Sequence, residues 1–221
     1  RRGRAHNAEG AREAILNAAE KVFAEHGFDG ARIDAIAAES GYNKSLLFQY
    51  FGDKLGLYTE IVKRADSEMT ELQTHVLAPL LEDETVASDA RRFRALLETI
   101  VTAIFDYLVA RPLFVRMLLW EQAEGWQTYS RMAAQFDTSD AEQFETFFRK
   151  AYRAGLLRLD YVPLIQLTMI LQLCLSFLTF IPLYQMFVAP GEDLASASGL
   201  ARAREYIVDL VVHGMMVDPQ G

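Results

Sequence analysis

Lys44, Ser45, Gln49 and Tyr50 lie within seven residues and bring donors and an aromatic ring together with no acid among them. Lysine, serine and glutamine bond phosphate oxygens and base edges, so this is a chemistry for reading a duplex rather than for transforming a substrate. The spacing suits a short helix over 44–51. Leu47 and Phe51, four apart, make its inner side, and Lys44, Ser45, Gln49 and Tyr50 its outer side. Asn43 is a good N-cap for that helix, and Leu46 sits beside the donors. Gly41 supplies the sharp turn before it, because glycine takes positive φ without steric cost. Upstream, Ile33, Ile36 and Ala37 mark one face of a preceding helix over 32–40. Two short helices across a glycine turn read as a helix-turn-helix, whose second helix enters a major groove. Arg32 and Lys54 flank the motif, placed to meet phosphates.

Other chemistries find little support. The histidines are His6, His26, His75 and His213, with no two at metal-ligand spacing. There is no glycine-rich phosphate loop, nucleophile elbow or Cys-His pair. No catalytic residue, metal or cofactor is expected. The single cysteine, Cys174, makes an internal disulfide impossible and suits a reducing cytoplasm. The net charge of −8 argues at first against DNA, but its distribution does not. Residues 1–55 hold eight bases and eight acids, so the remainder carries the whole excess. An acidic body held away from the phosphates weakens non-specific binding.

The surrounding elements are helical throughout, so the expected class is all-α: a three-helix head over 1–55 and a helical body over 56–221. Residues 1–10 read as a disordered basic arm, lying in a minor groove or simply solvated. A helix over 11–26 turns Ile15, Ala19, Val22 and Phe23 inward. Asp53 caps a longer helix over 54–77 that buries Leu57, Ile61 and Met69 and leaves the head for the body; Pro79 and Glu82-Asp-Glu84 break the chain after it. Helices follow over 91–109, from Pro112 through Trp120, over 141–154, 161–187 and 199–216.

Residues 161–191 contain no charge. That length could span a membrane, and a helical membrane-associated or scaffold protein using 161–188 is the alternative reading. Pro182, three glutamines and the lack of basic anchors oppose it. Thr168, Gln172, Ser176 and Thr179 form a polar stripe, while Leu167, Ile170, Leu171, Cys174, Leu178 and Ile181 are dry. A helix in the core of a soluble dimer accounts for both faces. Val208, Leu210, Val211 and Val212 on the last helix are expected to join that interface.

The first 60 or so residues resemble the DNA-binding segment of TetR-family transcriptional regulators. Ile36-Ala37, Gly41, Lys44, Leu47, Phe48, Phe51-Gly52, Lys54 and Leu57 carry the resemblance, with Ile15, Ala18-Ala19, Phe23 and Gly27-Phe28 upstream. Two departures stand out. Phe48, Gln49 and Tyr50 replace the common Tyr-Tyr-His or Tyr-Tyr-Tyr, and Ala31-Arg32 replaces a Ser or Thr at the start of the first motif helix. The resemblance implies a repressor that binds a double-stranded operator as a homodimer through its last two long helices, with no membrane. It also implies an effector cavity in each body. Phe105, Leu108, Met117, Trp120, Phe148, Gln172, Ser176 and Phe180 are the expected walls, suiting a hydrophobic small molecule. For each, plain core packing competes with ligand contact. Arg116 and Glu121 read as surface residues.

Overall fold

The structure is a computed structural model that describes residues 2–72, 74, 78–83, 85–136, 139–158 and 162–217. Helices dominate: α1 Arg2–Gly30, α2 Ile33–Ser40, α3 Lys44–Phe51, α4 Lys54–Leu72, α5 Ala78–Glu82, α6 Ala90–Ala110, α7 Pro112–Ala123, α8 Gln127–Met132, α9 Ser139–Arg153, α10 Pro163–Tyr184 and α11 Ala197–Met215. Among the described residues, extended pairing is confined to one antiparallel bridge, Leu157 with Met216. The all-α class and the N-terminal helix-turn-helix hold. Residues 2–10 differ from expectation: they continue α1 as helix rather than forming an arm, in keeping with their Ala, Arg and Glu content. A short helix also covers Pro79, where a break was expected. The end of the 54–77 helix and the side chain of Met69 lie outside the described residues.

The chain forms two compact units, residues 1–69 with 111–136, and 70–110 with 137–221. In the first, Ile15, Ala19, Val22 and Phe23 are buried on one face of α1, as their spacing requires. They meet Ile36 of α2, Leu47 and Phe51 of α3, and Leu57 and Ile61 of α4. Each large side chain so buried contributes about 1.5–3 kcal/mol. The ring of Tyr58 stands edge-on to Phe23 and Phe28 at centroid distances of 5.0 and 5.3 Å. Arg64 of α4 reaches Glu13, Asn17 and Glu20, which follow one another along α1 at helical spacing. This fork ties α4 to α1.

Helices α7 and α8 belong to the same unit. Pro112 begins α7 at a position where its missing N–H is not needed. Met117 enters the first unit's core. The Trp120 indole donates to the Ala24 carbonyl at 3.2 Å, close to the kink of α1 at Gly27. Arg116, exposed as expected, donates to the same carbonyl. Glu121 does not lie at the surface. It is only 3 % exposed, and one carboxylate oxygen accepts from the Tyr58 hydroxyl at 2.8 Å while the other accepts from the Tyr129 amide at 3.1 Å. A carboxylate can be buried here because both oxygens are bonded.

In the second unit, Phe93, Leu96, Leu97, Ile100, Ile104 and Leu108 of α6 are buried, as are Phe144, Phe147, Phe148 and Ala151 of α9. Helix α11 packs on α6, and Arg204 grips Asp106 through both carboxylate oxygens at 2.8 and 2.7 Å. The inner side of α11 carries Ile207, Val211 and Val212. Val212, at 1 % exposure, and Val211 are therefore subunit core rather than interface; Leu210, at 47 %, faces out. Leu210, Val211 and Val212 follow one another about 100° apart around the helix, so one run feeds two faces. Helix α10 turns Ile170, Cys174 and Leu175 inward. Its polar stripe lies on the opposite side, where Thr168 and Gln172 are exposed beside Leu164, Ile165 and Met169. Helix α10 is long and apolar enough to cross a membrane, and only a small share of its residues is fully buried by its own chain.

Candidate DNA-reading face

The reading helix is built by local rules. Gly41 closes α2 in the left-handed conformation, φ 73° and ψ 9°. Asn43 stays extended and its side-chain oxygen accepts from the Leu46 amide at 3.0 Å, starting α3. This is the N-cap the sequence implied, so Asn43's acceptor is engaged in the fold while the residue remains exposed. Leu47 and Phe51 anchor the inner side. Asp53 then accepts from the Gly56 amide at 2.7 Å and starts α4.

With the inner side fixed, rotation about the axis decides what faces out. Lys44, Ser45, Phe48 and Gln49 form the exposed face. Tyr50 and Leu46 turn toward the flank, partly buried against the core, and Tyr50 sits edge-on to Phe51 at 6.0 Å. Phe48, 46 % exposed, is the residue that the sequence reading left out of the face. An apolar ring is an unusual thing to leave in water on a helix this short, and nothing in the sequence set it apart from Tyr50.

The flanking cations are partly engaged. Lys44 pairs with Asp34 of α2. Lys54 donates to the Asp29 carbonyl at 3.1 Å and lies 4.7 Å above the Phe28 ring. Burial lowers the Lys54 pKa, with Asp29 and Glu124 acting in the opposite direction. Arg32 is extended at the start of α2, exposed, and makes no side-chain cap, consistent with the loss of a Ser or Thr there. Deeper in, burial first and then Glu121 hold the Tyr58 phenol well above its ordinary pKa. Glu124 is likewise raised by burial and by Asp29 and Glu121.

Comparison with known proteins meets this geometry at the same residues. The family model for bacterial regulatory proteins of the tetR family matches residues 15–61, and the tetracyclin repressor-like C-terminal domain matches 94–211. The HTH-type transcriptional repressor SCO4008 of Streptomyces coelicolor is 30 % identical over 214 residues, spanning 93 % of this chain and 98 % of that protein. The chain belongs to the TetR family. It is therefore a DNA-binding transcriptional regulator. The repressor NicS of Pseudomonas putida is also 30 % identical, over 118 residues that cover 53 % of this chain and 51 % of NicS. Among solved structures, the putative transcriptional regulator SCO4942 from Streptomyces coelicolor superposes with a TM-score of 0.64 at 25 % identity, covering 93 % of this chain and 98 % of that one.

The expected effector walls of this TetR-family chain fall in different places. Met117 and Trp120 belong to the first unit, as described above. In the second, Phe105 and Leu108 are buried on α6, and Phe105 lies 6.3 Å from Phe177. Phe148 joins a separate ring group with Phe93 and Phe144, at 5.7 and 5.4 Å. Phe180 is exposed beside Tyr184 at 5.7 Å. Gln172 is exposed and Ser176 partly buried, both on the outward stripe of α10.

Proposed function

We propose that the chain is a cytoplasmic repressor that binds a pseudo-palindromic operator as a homodimer and is released by a hydrophobic small molecule. The carrying observation is the exposed face of α3, where Lys44, Ser45, Phe48 and Gln49 stand together on a capped helix after a glycine turn. A lysine, a hydroxyl and an amide can bond base edges or phosphates, and the ring can meet a thymine methyl. Arg32, Asn43, Leu46, Tyr50 and Lys54 flank that face and complete the proposed contact set. Head 1–55 reads DNA, and body 56–221 pairs and senses. The uncovered apolar sides of α10 and α11, including Leu164, Met169, Tyr206 and Leu210, support pairing through these two helices.

Twofold pairing would place two reading helices on successive major grooves. An effector that binds better to one head spacing would shift the dimer away from the operator-competent state. Phe105, Leu108, Phe148, Gln172, Ser176 and Phe180 remain the candidates for its contacts in the second unit. Their mostly apolar character supports a hydrophobic ligand. Selection of bound duplexes from a random pool tests the DNA reading. The expected product is a pseudo-palindrome with affinity that falls steeply with salt. Recovery of random sequence would reject the proposal.

A further inference from the structure

In an acidic protein, three guanidinium groups line one groove of the second unit. The groove has a volume of about 240 Å³ and is bordered by Arg91, Arg94 and Arg158, with Val212, Met216 and His213 among its other walls. Val212 and Met216 are buried and give it an apolar floor; the three arginines and His213 are exposed. Among the described residues, no Asp or Glu lines it.

Among the described residues, the nearby acids only partly answer these charges. Glu98 takes the Arg94 Nε at 2.9 Å, and Asp209 pairs with His213 at 3.0 Å. Asp89 caps the start of α6 through the Arg92 amide at 2.9 Å. Arg158 gives its Nε to the Met216 carbonyl at 2.6 Å, which leaves its terminal amino groups for other partners. Arg91, in the first turn of α6, makes no ion pair among the described residues.

The frame is held by backbone bonds. The Arg158 amide donates to the Met215 carbonyl and the Val217 amide to the Leu156 carbonyl, both at 2.9 Å, on either side of the Leu157–Met216 bridge. The apolar floor and Arg158 are therefore held before any ligand arrives, which lowers the ordering cost of binding, while Arg91 and Arg94 close on the head group from α6. The groove is open to solvent, and its volume suits a charged head and a few carbons rather than a large ligand.

We propose that this groove binds a small anionic amphiphile, a carboxylate or a phosphate monoester. Its charged head meets the arginines and its apolar part lies on Val212 and Met216. The site is separate from the reading helix and does not depend on operator binding. Guanidinium groups suit either head, because both offer paired oxygens to their forked donors.

The test is calorimetric titration of the full chain at constant ionic strength with hexanoate, phenyl phosphate and inorganic phosphate. Arg91→Gln and the double variant Arg91→Gln/Arg94→Gln change exposed side chains, and circular dichroism checks that they fold. The expected result is saturable binding of hexanoate or phenyl phosphate, weakened about tenfold by the single change and further by the double. The preferred probe identifies the head group, and inorganic phosphate binds more weakly than phenyl phosphate. The proposal is overturned if neither organic probe saturates at millimolar concentration. It is equally overturned if the folded double variant binds as wild type, or if phenyl phosphate is the binding probe and inorganic phosphate binds as tightly.

Discussion

On the reading helix, Gln49 and Phe48 divide two kinds of recognition between neighbours. Gln49→Ala is expected to cost about 1–3 kcal/mol at the selected operator and to relax the preference at one base pair. Phe48→Ala should relax a different position, one held by thymine, with little change in salt dependence, because no charge is lost. Competition binding against single-base operator variants checks both; unchanged preference in both variants would remove these residues from the readout. Lys54→Ala is a mixed case. Its ammonium already holds the Asp29 carbonyl and the Phe28 ring, so its loss should lower melting temperature as well as flatten the salt slope. The sequence made the donors legible, since lysine and glutamine announce themselves. It did not resolve Phe48 from Tyr50, because these two lie about 200° apart on a helix only two turns long. Which of them turns outward depends on packing against α1 and α4. Glu121 was less legible still. Its partner Tyr58 is 63 residues away, and nothing in the neighbouring sequence marks that carboxylate as buried.

The buried pair has a pH signature of its own. The Tyr58 pKa is raised in the folded state, so folded chains retain a proton that unfolded chains lose above pH about 10. The associated stability is present below that pH and declines as pH rises above it. Tyr58→Phe should be destabilised at neutral pH by about 1–3 kcal/mol, since Glu121 loses one partner in the core. It should also show a shallower loss of stability in alkali. Denaturant titrations from pH 7 upward measure both, and parallel pH profiles for the two proteins would contradict the assignment.

At the scale of elements, periodicity made most helices legible, because apolar positions recur every three or four residues along α1, α6 and α9. Their ends were less clear. Ala and Arg at the N-terminus permit helix as readily as a solvated arm, and only the structure shows that they continue α1. The junction of α3 with α4 is constrained more tightly than its sequence suggests. A Cβ at Gly56 would fall on the Phe51 carbonyl oxygen, which is backbone and has little freedom to yield. Gly56→Ala should destabilise the fold by about 1–3 kcal/mol or more and weaken operator binding through the displaced reading helix. A variant with wild-type melting and operator affinity would show that the junction relaxes freely. On α10, burial pushes the Cys174 thiol up to about 12. At pH 8 the folded chain should therefore resist an alkylating reagent and react only after denaturation, as mass spectrometry of the labelled protein would register.

For the whole molecule, the decisive distinction is between side chains that build one subunit and those left for a second. The sequence marked Val208, Leu210, Val211 and Val212 together as apolar, but one strip of helix serves both purposes. Val212 lies in the packing of α11 on α6, whereas Leu210 is open to solvent in the single chain. A charge at these two positions should therefore fail differently. Val212→Asp buries an unpaired carboxylate and should leave little folded protein. Leu210→Asp places the same charge where a lone subunit tolerates it, yet desolvates it in a pair of α10 and α11 helices. The expected Leu210→Asp protein is helical, sediments as a monomer at micromolar concentration, and binds the palindromic site far more weakly than wild type, because each head must then bind alone. Its affinity for an isolated half-site should be unchanged. A Leu210→Asp chain that remains dimeric with full operator affinity would move the interface away from this face of α11.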